Sequence, residues 1–170
     1  RHARSFFQSN RYLLPTLVSA VCRRVTTGPV VDLYAGVGLF AVALASRGLD
    51  TITAVEQDAF AHADLLANIT GVWPQIGVVG ASVEDFLVRR SDSIPGTVIV
   101  DPPRTGLSPT VVERLSERGV SLLVYVSCDV ATFSRDVRRF REVGYTLEEI
   151  EAFDMFPNTA HIELVATLRR

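Results

Sequence analysis

The segment PVVDLYAGVGLFA, residues 29–41, decides the fold. Its first seven residues form an apolar run of strand length, which ends before two glycines, Gly36 and Gly38. A second apolar run with helical character follows the glycines. A strand that leads through a glycine turn into a helix is the repeating unit of a parallel α/β sheet. The segment therefore predicts the first strand and the first crossover helix of such a sheet.

The same alternation of strands and helices continues along the chain. The predicted strands are 29–35, 51–56, 76–82, 97–101, 121–127, 145–154 and 161–170, and the predicted helices are 38–47, 58–69, 83–89, 109–118 and 130–142. Asp58 stands near the start of the second helix, and Ser108 is expected to cap the fourth, with Pro109 at its first position. The last two strands have only a short link between them, which fits an antiparallel pair. We expect a mainly parallel seven-stranded sheet with an antiparallel last strand and helices on both faces.

Composition sets limits on the class of protein. The chain has 170 residues, 48% of them hydrophobic, so we expect one globular domain. Its net charge of −2 argues against a uniformly basic nucleic-acid binder. All 17 basic residues are arginines, the residue type that suits bidentate phosphate contacts. Two cysteines are too few for a disulfide framework or a four-cysteine metal or iron–sulfur site. No apolar run reaches membrane-spanning length, and we expect a cytoplasmic protein without a metal.

Polar residues stand at the carboxyl ends of the predicted strands, where open α/β sheets bind ligands. Tyr34 ends the first strand, and the pattern Gly36-x-Gly38-x-x-Ala41 follows it. Glu56, twenty residues beyond Gly36, ends the second strand. Glycines let the backbone approach a ligand, and the acid can hold ribose hydroxyls. This pattern fits NAD as well as S-adenosylmethionine.

The segment VDPPRTGL, residues 100–107, favours the second of these cofactors. Asp101 ends the fourth strand and is followed by two prolines, which fix the backbone and remove N–H donors. A stiff acidic loop above this strand can hold a flat polar group near a transferred methyl group. A dinucleotide dehydrogenase has no evident need for such a loop.

The segment LVYVSCDVATF, residues 123–133, places Cys128 after the fifth strand and at or just before a helix. Helix amino ends lower the pKa of a thiol, and the thiolate is the nucleophile, so Cys128 is a candidate nucleophile. Cys22 lies within a helical segment and is expected to be a buried hydrophobic residue. Downstream, His161 and Glu163 are two residues apart and are expected to share a face of the last strand. Either can serve as a proton acceptor.

Three motifs resemble those of the RNA 5-methyluridine (uracil-C5) methyltransferase family, whose members act on tRNA or 23S rRNA. They are SFFQSN at 5–10, DPPRTG at 101–106 with LVYVSC at 123–128, and FDMFPNTAHIE at 153–163. The resemblance covers nearly the whole chain. It implies a Rossmann-like class I fold, S-adenosylmethionine as cofactor and RNA as substrate. Asp129, Asn158 and Leu39 depart from the residues that the family usually has at those positions.

The resemblance also assigns roles to residues. It makes Cys128 the nucleophile that adds to uracil C6 and Glu163, rather than His161, the base. The expected cofactor-binding residues are Gln8, Tyr34, Gly36, Gly38, Glu56 and Asp101. The expected substrate-binding residues are Phe6, Phe7, Arg104 and His161.

Residues 1–170 are expected to form a single catalytic domain, without the amino-terminal RNA-binding domain that family members carry. Three other functions stay open at this point. The chain is alternatively an S-adenosylmethionine methyltransferase acting on another nucleobase or an amine, a non-catalytic cofactor-binding module, or an NAD-dependent enzyme.

Overall fold

The structure is a computed structural model that describes residues 10–25, 28–90, 92–94, 96–159 and 161–170. Three predicted site residues, Phe6, Phe7 and Gln8, lie outside the described residues. Their roles stay predictions.

The described residues contain one seven-stranded sheet. Its strands are β1 (Val30–Leu33), β2 (Ile52–Val55), β3 (Ile76–Val79), β4 (Thr97–Val100), β5 (Leu122–Ser127), β6 (Thr146–Phe153) and β7 (Glu163–Arg169). The spatial order is β3-β2-β1-β4-β5-β7-β6. The first five strands are parallel, and β7 runs antiparallel to both β5 and β6. The predicted mainly parallel sheet with an antiparallel last strand is confirmed.

In the part of the chain that the structure describes, six helices cover the two faces of this sheet. They are α1 (Leu14–Arg24), α2 (Leu39–Ala45), α3 (Ala59–Ile69), α4 (Val83–Arg89), α5 (Pro109–Glu117) and α6 (Val130–Glu142). Apolar side chains of α1, α2 and α3 pack in one buried cluster, and those of α4, α5 and α6 pack in a second. Successive residues of β1 alternate between the clusters, since Val30 belongs to the first and Val31 to the second. None of the helices in the described part of the chain is long and apolar enough to cross a membrane.

Local signals account for where several helices begin. The Asp58 carboxylate accepts hydrogen bonds from two backbone N–H groups in the first turn of α3. Ser108 caps α5 in the same way, and Pro109 occupies its first position, as predicted. Asp129 caps α6 by accepting from the Thr132 N–H at 2.8 Å. This last cap fixes the chain directly after Cys128.

Six of the seven predicted strands extend beyond the observed ones at their carboxyl ends, whereas β5 ends at Ser127 as predicted. β1 ends at Leu33 because Tyr34 takes a left-handed conformation with φ of 62°, which turns the chain out of the sheet. Cys22 lies near the end of α1 and is buried, as expected for a small hydrophobic residue. The ends of the strands therefore lead into turns that carry the site described next.

Candidate active site

The parallel register brings the strand ends to one edge of the sheet. Leu33 at the end of β1 is paired with Val55 in β2 and with Val100 in β4, so the residues that follow these strands are neighbours. A cleft of about 580 Å³ opens at this edge. Seven of the predicted site residues line it: Tyr34, Gly36, Glu56, Asp101, Arg104, Cys128 and Glu163. Gly38 and His161 do not line this cleft.

The glycine turn and Glu56 form one hydrogen-bonded unit at the rim of the cleft. The Gly36 N–H donates to Glu56 Oε2 at 2.8 Å, and the Asp58 N–H donates to Oε1 at 2.6 Å. A carboxylate has further acceptor capacity, so Glu56 can also accept from ribose hydroxyls. Gly36 has a φ of +55°, and no atom of a non-adjacent described residue lies within 4 Å of the position of an added Cβ, which leaves room for a ligand against its backbone.

Gly38 has a different role in the structure. A Cβ at this position would lie 2.4 Å from Leu65 Cδ1, and its φ is +89°. The second glycine therefore allows α2 to pack closely against α3. Its predicted contact with the cofactor stays a prediction.

Cys128 lies between β5 and α6, as predicted, and is partly buried. The pKa of its thiol is nevertheless raised, first by burial and then by the charges of Glu163 and Asp101. Arg104, which lines the same cleft, acts in the opposite direction and lowers this pKa through its hydrogen-bonding capacity and its charge. The expectation that the helix amino end lowers this pKa is wrong in its net result, because burial and two nearby carboxylates dominate.

Asp101 and Glu163 form an acidic pair beside the thiol. Glu163 is 2% exposed at the start of β7. Burial raises the pKa of Asp101 well above its usual range, and the charges of Glu163 and Asp32 raise it further. Like charges in a buried site favour retention of a proton. A proton can therefore be held near the sulfur at a pH at which exposed carboxyls are ionised.

His161 lies outside the last strand, which begins at Glu163. The expectation that the two residues share a strand face is therefore wrong. The chain turns at Asn158, whose φ is +66°, and the Thr159 hydroxyl oxygen accepts from the His161 N–H at 3.2 Å. The His161 ring packs edge-on against Phe156, with 6.3 Å between ring centroids. Its charge acts on Asp129, whose pKa is lowered mainly by hydrogen bonds from Thr132.

Sequence reasoning missed two aromatic walls of the cleft, Phe40 and Phe156. Phe40 follows the glycine turn and is 4% exposed, so its pattern is that of an ordinary core residue. Phe156 belongs to the turn between the last strands, and its position beside a proline was the available signal.

Sequence reasoning also missed Asp32, an acid in the middle of the apolar strand β1. Asp32 is fully buried, and its Oδ2 accepts from the Ala41 N–H at 3.1 Å. Its Oδ1 is a buried atom without a hydrogen-bond partner among the described residues. Burial raises the pKa of Asp32 from 3.8 to about 7, and the charge of Glu56 contributes. A charged residue type at this point of a buried strand was a visible anomaly in the sequence.

The described residues contain no group of three or more His, Cys, Asp or Glu side chains arranged to hold a metal ion. The donors and walls of the cleft instead fit an adenosyl cofactor. Glu56 offers acceptors at the rim, Gly36 offers open backbone, and Phe40 and Ala61 offer apolar surface.

Comparisons with known proteins agree with this geometry. A family model described as tRNA (Uracil-5-)-methyltransferase matches residues 87–170. The tRNA (uracil(54)-C(5))-methyltransferase of Pyrococcus furiosus is 43% identical over 99% of this chain and 39% of its own length. The 23S rRNA (uracil(747)-C(5))-methyltransferase of Pyrococcus abyssi is 36% identical over 99% of this chain and 40% of its own length.

One solved structure resembles this chain in both its fold and its sequence. It is the Pyrococcus abyssi tRNA (uracil-54, C5)-methyltransferase in complex with S-adenosyl-L-homocysteine, with a TM-score of 0.86 and 40% identity. The match covers 98% of this chain and 41% of that chain, so this chain spans well under half of these relatives. The predicted Rossmann-like class I methyltransferase fold is confirmed. The chain belongs to the RNA uracil-C5 methyltransferase family.

Proposed function

We propose that this chain is the catalytic domain of an S-adenosylmethionine-dependent RNA uracil-C5 methyltransferase that acts through a covalent adduct at Cys128. The observation that carries this proposal is that Cys128, Glu163, Asp101 and the Gly36 turn line one cleft. The names of the relatives support uracil C5 as the acceptor and tRNA or 23S rRNA as the substrate. Residues 1–170 are proposed to act as one catalytic domain.

The residues proposed to hold the cofactor are Tyr34, Gly36, Glu56 and Asp101. Glu56 accepts from the ribose hydroxyls, Gly36 offers its backbone, and Asp101 holds a polar group from the stiff loop after β4. When bound, S-adenosylmethionine supplies an electrophilic methyl group on a sulfonium. The buried carboxylates near Cys128 favour a cationic group in this cleft.

The thiol of Cys128 supplies the nucleophile. Uracil C5 is a weak nucleophile, and addition of the thiolate to C6 makes C5 enolate-like. C5 would then take the methyl group as the methyl–sulfur bond of the sulfonium breaks, with its electron pair left on the sulfur of the departing thioether. Removal of the C5 proton afterwards returns the electron pair to the C5–C6 bond and expels the thiolate, which restores the free enzyme. Arg104, in the same cleft, favours the thiolate that this cycle requires.

Glu163 is the proposed base for the C5 proton. It is buried, and its charge acts on both Cys128 and Asp101, so it lies within electrostatic reach of the adduct. His161 does not line the cleft, and its ring is packed against Phe156. We therefore propose that His161 binds the substrate rather than acting as the base. The substrate-binding roles of Phe6 and Phe7 stay predictions.

The target uridine must leave its stack to reach this cleft. Enzymes that act on a base extrude it into a pocket at a cost of about a few kcal/mol, which is smallest for a base that is already unstacked. We therefore place the target in a loop or bulge of the RNA.

The test is transfer of methyl groups to tRNA and rRNA transcripts, with mass spectrometry of the digested nucleosides. The wild-type protein is expected to form 5-methyluridine, and Cys128→Ala is expected to form none while it binds the cofactor. Cys22→Ala is the matched control, since Cys22 is buried in α1 away from the cleft. Methylation of another nucleobase, or full activity in Cys128→Ala, would refute the proposal.

A further inference from the structure

Asp136 is a fully buried carboxylate on α6 that accepts hydrogen bonds on both oxygens. Its Oδ2 accepts from the Leu107 N–H at 2.7 Å and from the Tyr125 hydroxyl at 2.9 Å. Its Oδ1 accepts from Arg135 at 2.9 and 3.0 Å and from Arg139 at 3.1 Å. Because so many donors bind this one buried carboxylate, its position in the structure is tightly constrained.

Asp136 and its two arginine partners bind the loop that follows the two prolines, residues 105–107. Arg135 Nη2 also donates to the Thr105 carbonyl at 2.7 Å, and Arg139 Nη1 donates to the Leu107 carbonyl at 3.2 Å. Between these residues, Gly106 has a φ of +71°, and a Cβ there would lie 2.4 Å from Asp136 Oδ2. Loop 105–107 and α6 are therefore held together without room for a side chain at Gly106.

The same loop carries Arg104. The Gly106 N–H donates to the Pro103 carbonyl at 2.8 Å, which closes a four-residue turn with Arg104 at its second position. Arg104 and Cys128 line the same cleft, where Arg104 favours the Cys128 thiolate. Cys128 directly precedes the residue that caps α6, and Asp136 lies on that helix. One helix thus places the nucleophile at its start and holds the loop that carries the cation beside it.

We propose that Asp136 is a positioning residue: through loop 105–107, its carboxylate holds Arg104 against the sulfur of Cys128. The inference rests on the proposed function in one respect, since it takes Cys128 as the nucleophile. The reactivity of the thiol can be measured without RNA, so a failure of this inference is distinguishable from a failure of the proposed function.

The direction in which Asp136→Asn changes the amount of Cys128 thiolate distinguishes a positioning role from a direct electrostatic effect of the Asp136 charge. Direct loss of the negative charge of Asp136 would favour the Cys128 thiolate, because a nearby anion disfavours it. Loss of the Arg104 contact would disfavour the thiolate. Asp136→Asn replaces two acceptor oxygens with one, so it cannot satisfy both the Leu107 side and the arginine side. We therefore expect less thiolate in this variant.

The experiment is the pH dependence of iodoacetamide alkylation, with the Cys128 and Cys22 peptides resolved by mass spectrometry. Asp136→Asn is expected to slow Cys128 alkylation about threefold or more at pH 8, which corresponds to a rise of about half a pKa unit. In an Arg104→Gln background, Asp136→Asn is expected to have no further effect on Cys128 alkylation, because Asp136 acts on the thiol only through Arg104. Faster alkylation, an unchanged profile, or an equal effect in both backgrounds would overturn the inference.

Two further variants separate this role from stability. Tyr145→Phe removes a buried hydrogen bond to the Val120 carbonyl, before the amino end of β5 and thus at the opposite edge of the sheet from Cys128. It is expected to leave Cys128 alkylation unchanged. Rapid alkylation of the buried Cys22 would show that Asp136→Asn does not fold. In that case Gly106→Ala is used to test the inference, because an added Cβ at Gly106 displaces the same loop from Asp136. An unchanged Cys128 profile in folded Gly106→Ala would equally overturn the inference.

Discussion

Replacement of Asp32 by asparagine should change how the stability of the protein depends on pH. Asp32 is fully buried in β1, and burial raises its pKa from 3.8 to about 7. Asparagine can still accept from the Ala41 N–H, the hydrogen bond that Asp32 makes at 3.1 Å. It cannot ionise. The variant therefore removes a titration and keeps the contact that joins β1 to α2.

The sign and size follow from linkage between protonation and folding. The folded state binds this proton more tightly than the unfolded state, so Asp32 favours folding most at low pH and disfavours it as pH rises from about 4 through about 7. A shift from 3.8 to about 7 corresponds to about 4 kcal/mol over the full titration. Between pH 5 and pH 8 the loss is about 2.5 kcal/mol, which lowers Tm by roughly 5–10 °C in a domain of this size.

The assay is thermal or urea unfolding of the cofactor-free wild type and Asp32→Asn at pH 5 and pH 8. Any fixed cost of the substitution cancels, because only the change between the two pH values is compared. The wild type should lose about 2.5 kcal/mol more than the variant on going from pH 5 to pH 8. Parallel pH profiles would refute the reasoning that Asp32 titrates in this range because it is buried.

Three more predictions concern the site. Glu163→Gln should accumulate a methylated protein–RNA adduct, detected by denaturing gel and mass spectrometry, because the C5 proton cannot leave; normal turnover would assign the base elsewhere. Adduct formation in rapid-quench experiments should still rise with pH at 9.0, since burial and nearby carboxylates raise the pKa of Cys128 above that ordinary value; a plateau below pH 8 would contradict this. Gly38→Ala should cost about 1–3 kcal/mol of unfolding free energy through overlap with Leu65, in addition to about 1–2 kcal/mol for its positive φ. Gly48→Ala, with φ of +92° but open space, should cost only the second amount; equal losses in urea unfolding would remove the packing role of Gly38.

Much of the fold was predictable because its signals are local. The predicted bounds of α4 and α6 match the structure, since apolar periodicity and capping residues such as Asp129 specify them within a few residues of sequence. The antiparallel placement of β7 followed from the short link before it. The exact strand ends did not follow, because Tyr34 leaves the sheet through a backbone conformation that no sequence pattern marks.

The site was predictable as a set of positions and less so as an environment. The parallel strands bring Glu56, Asp101 and Cys128 to one edge of the sheet, and this placement does not depend on the contacts of their side chains. The raised pKa of Cys128 depends instead on Glu163, which comes from a distant segment of the chain, and on burial. The link between Asp136 and loop 105–107 likewise depends on tertiary contacts. Sequence spacing contains no record of such contacts.

The most direct test of the central claim uses RNA in which uridine is replaced by 5-fluorouridine. Fluorine at C5 cannot leave as a proton, so the adduct should accumulate after methyl transfer. The transcript should be one that the same preparation methylates when it contains ordinary uridine. We expect a cofactor-dependent protein–RNA adduct that carries one added methyl group and maps to Cys128. Binding of the fluorinated RNA without any adduct, while ordinary RNA is methylated at C5, would contradict the covalent role of Cys128.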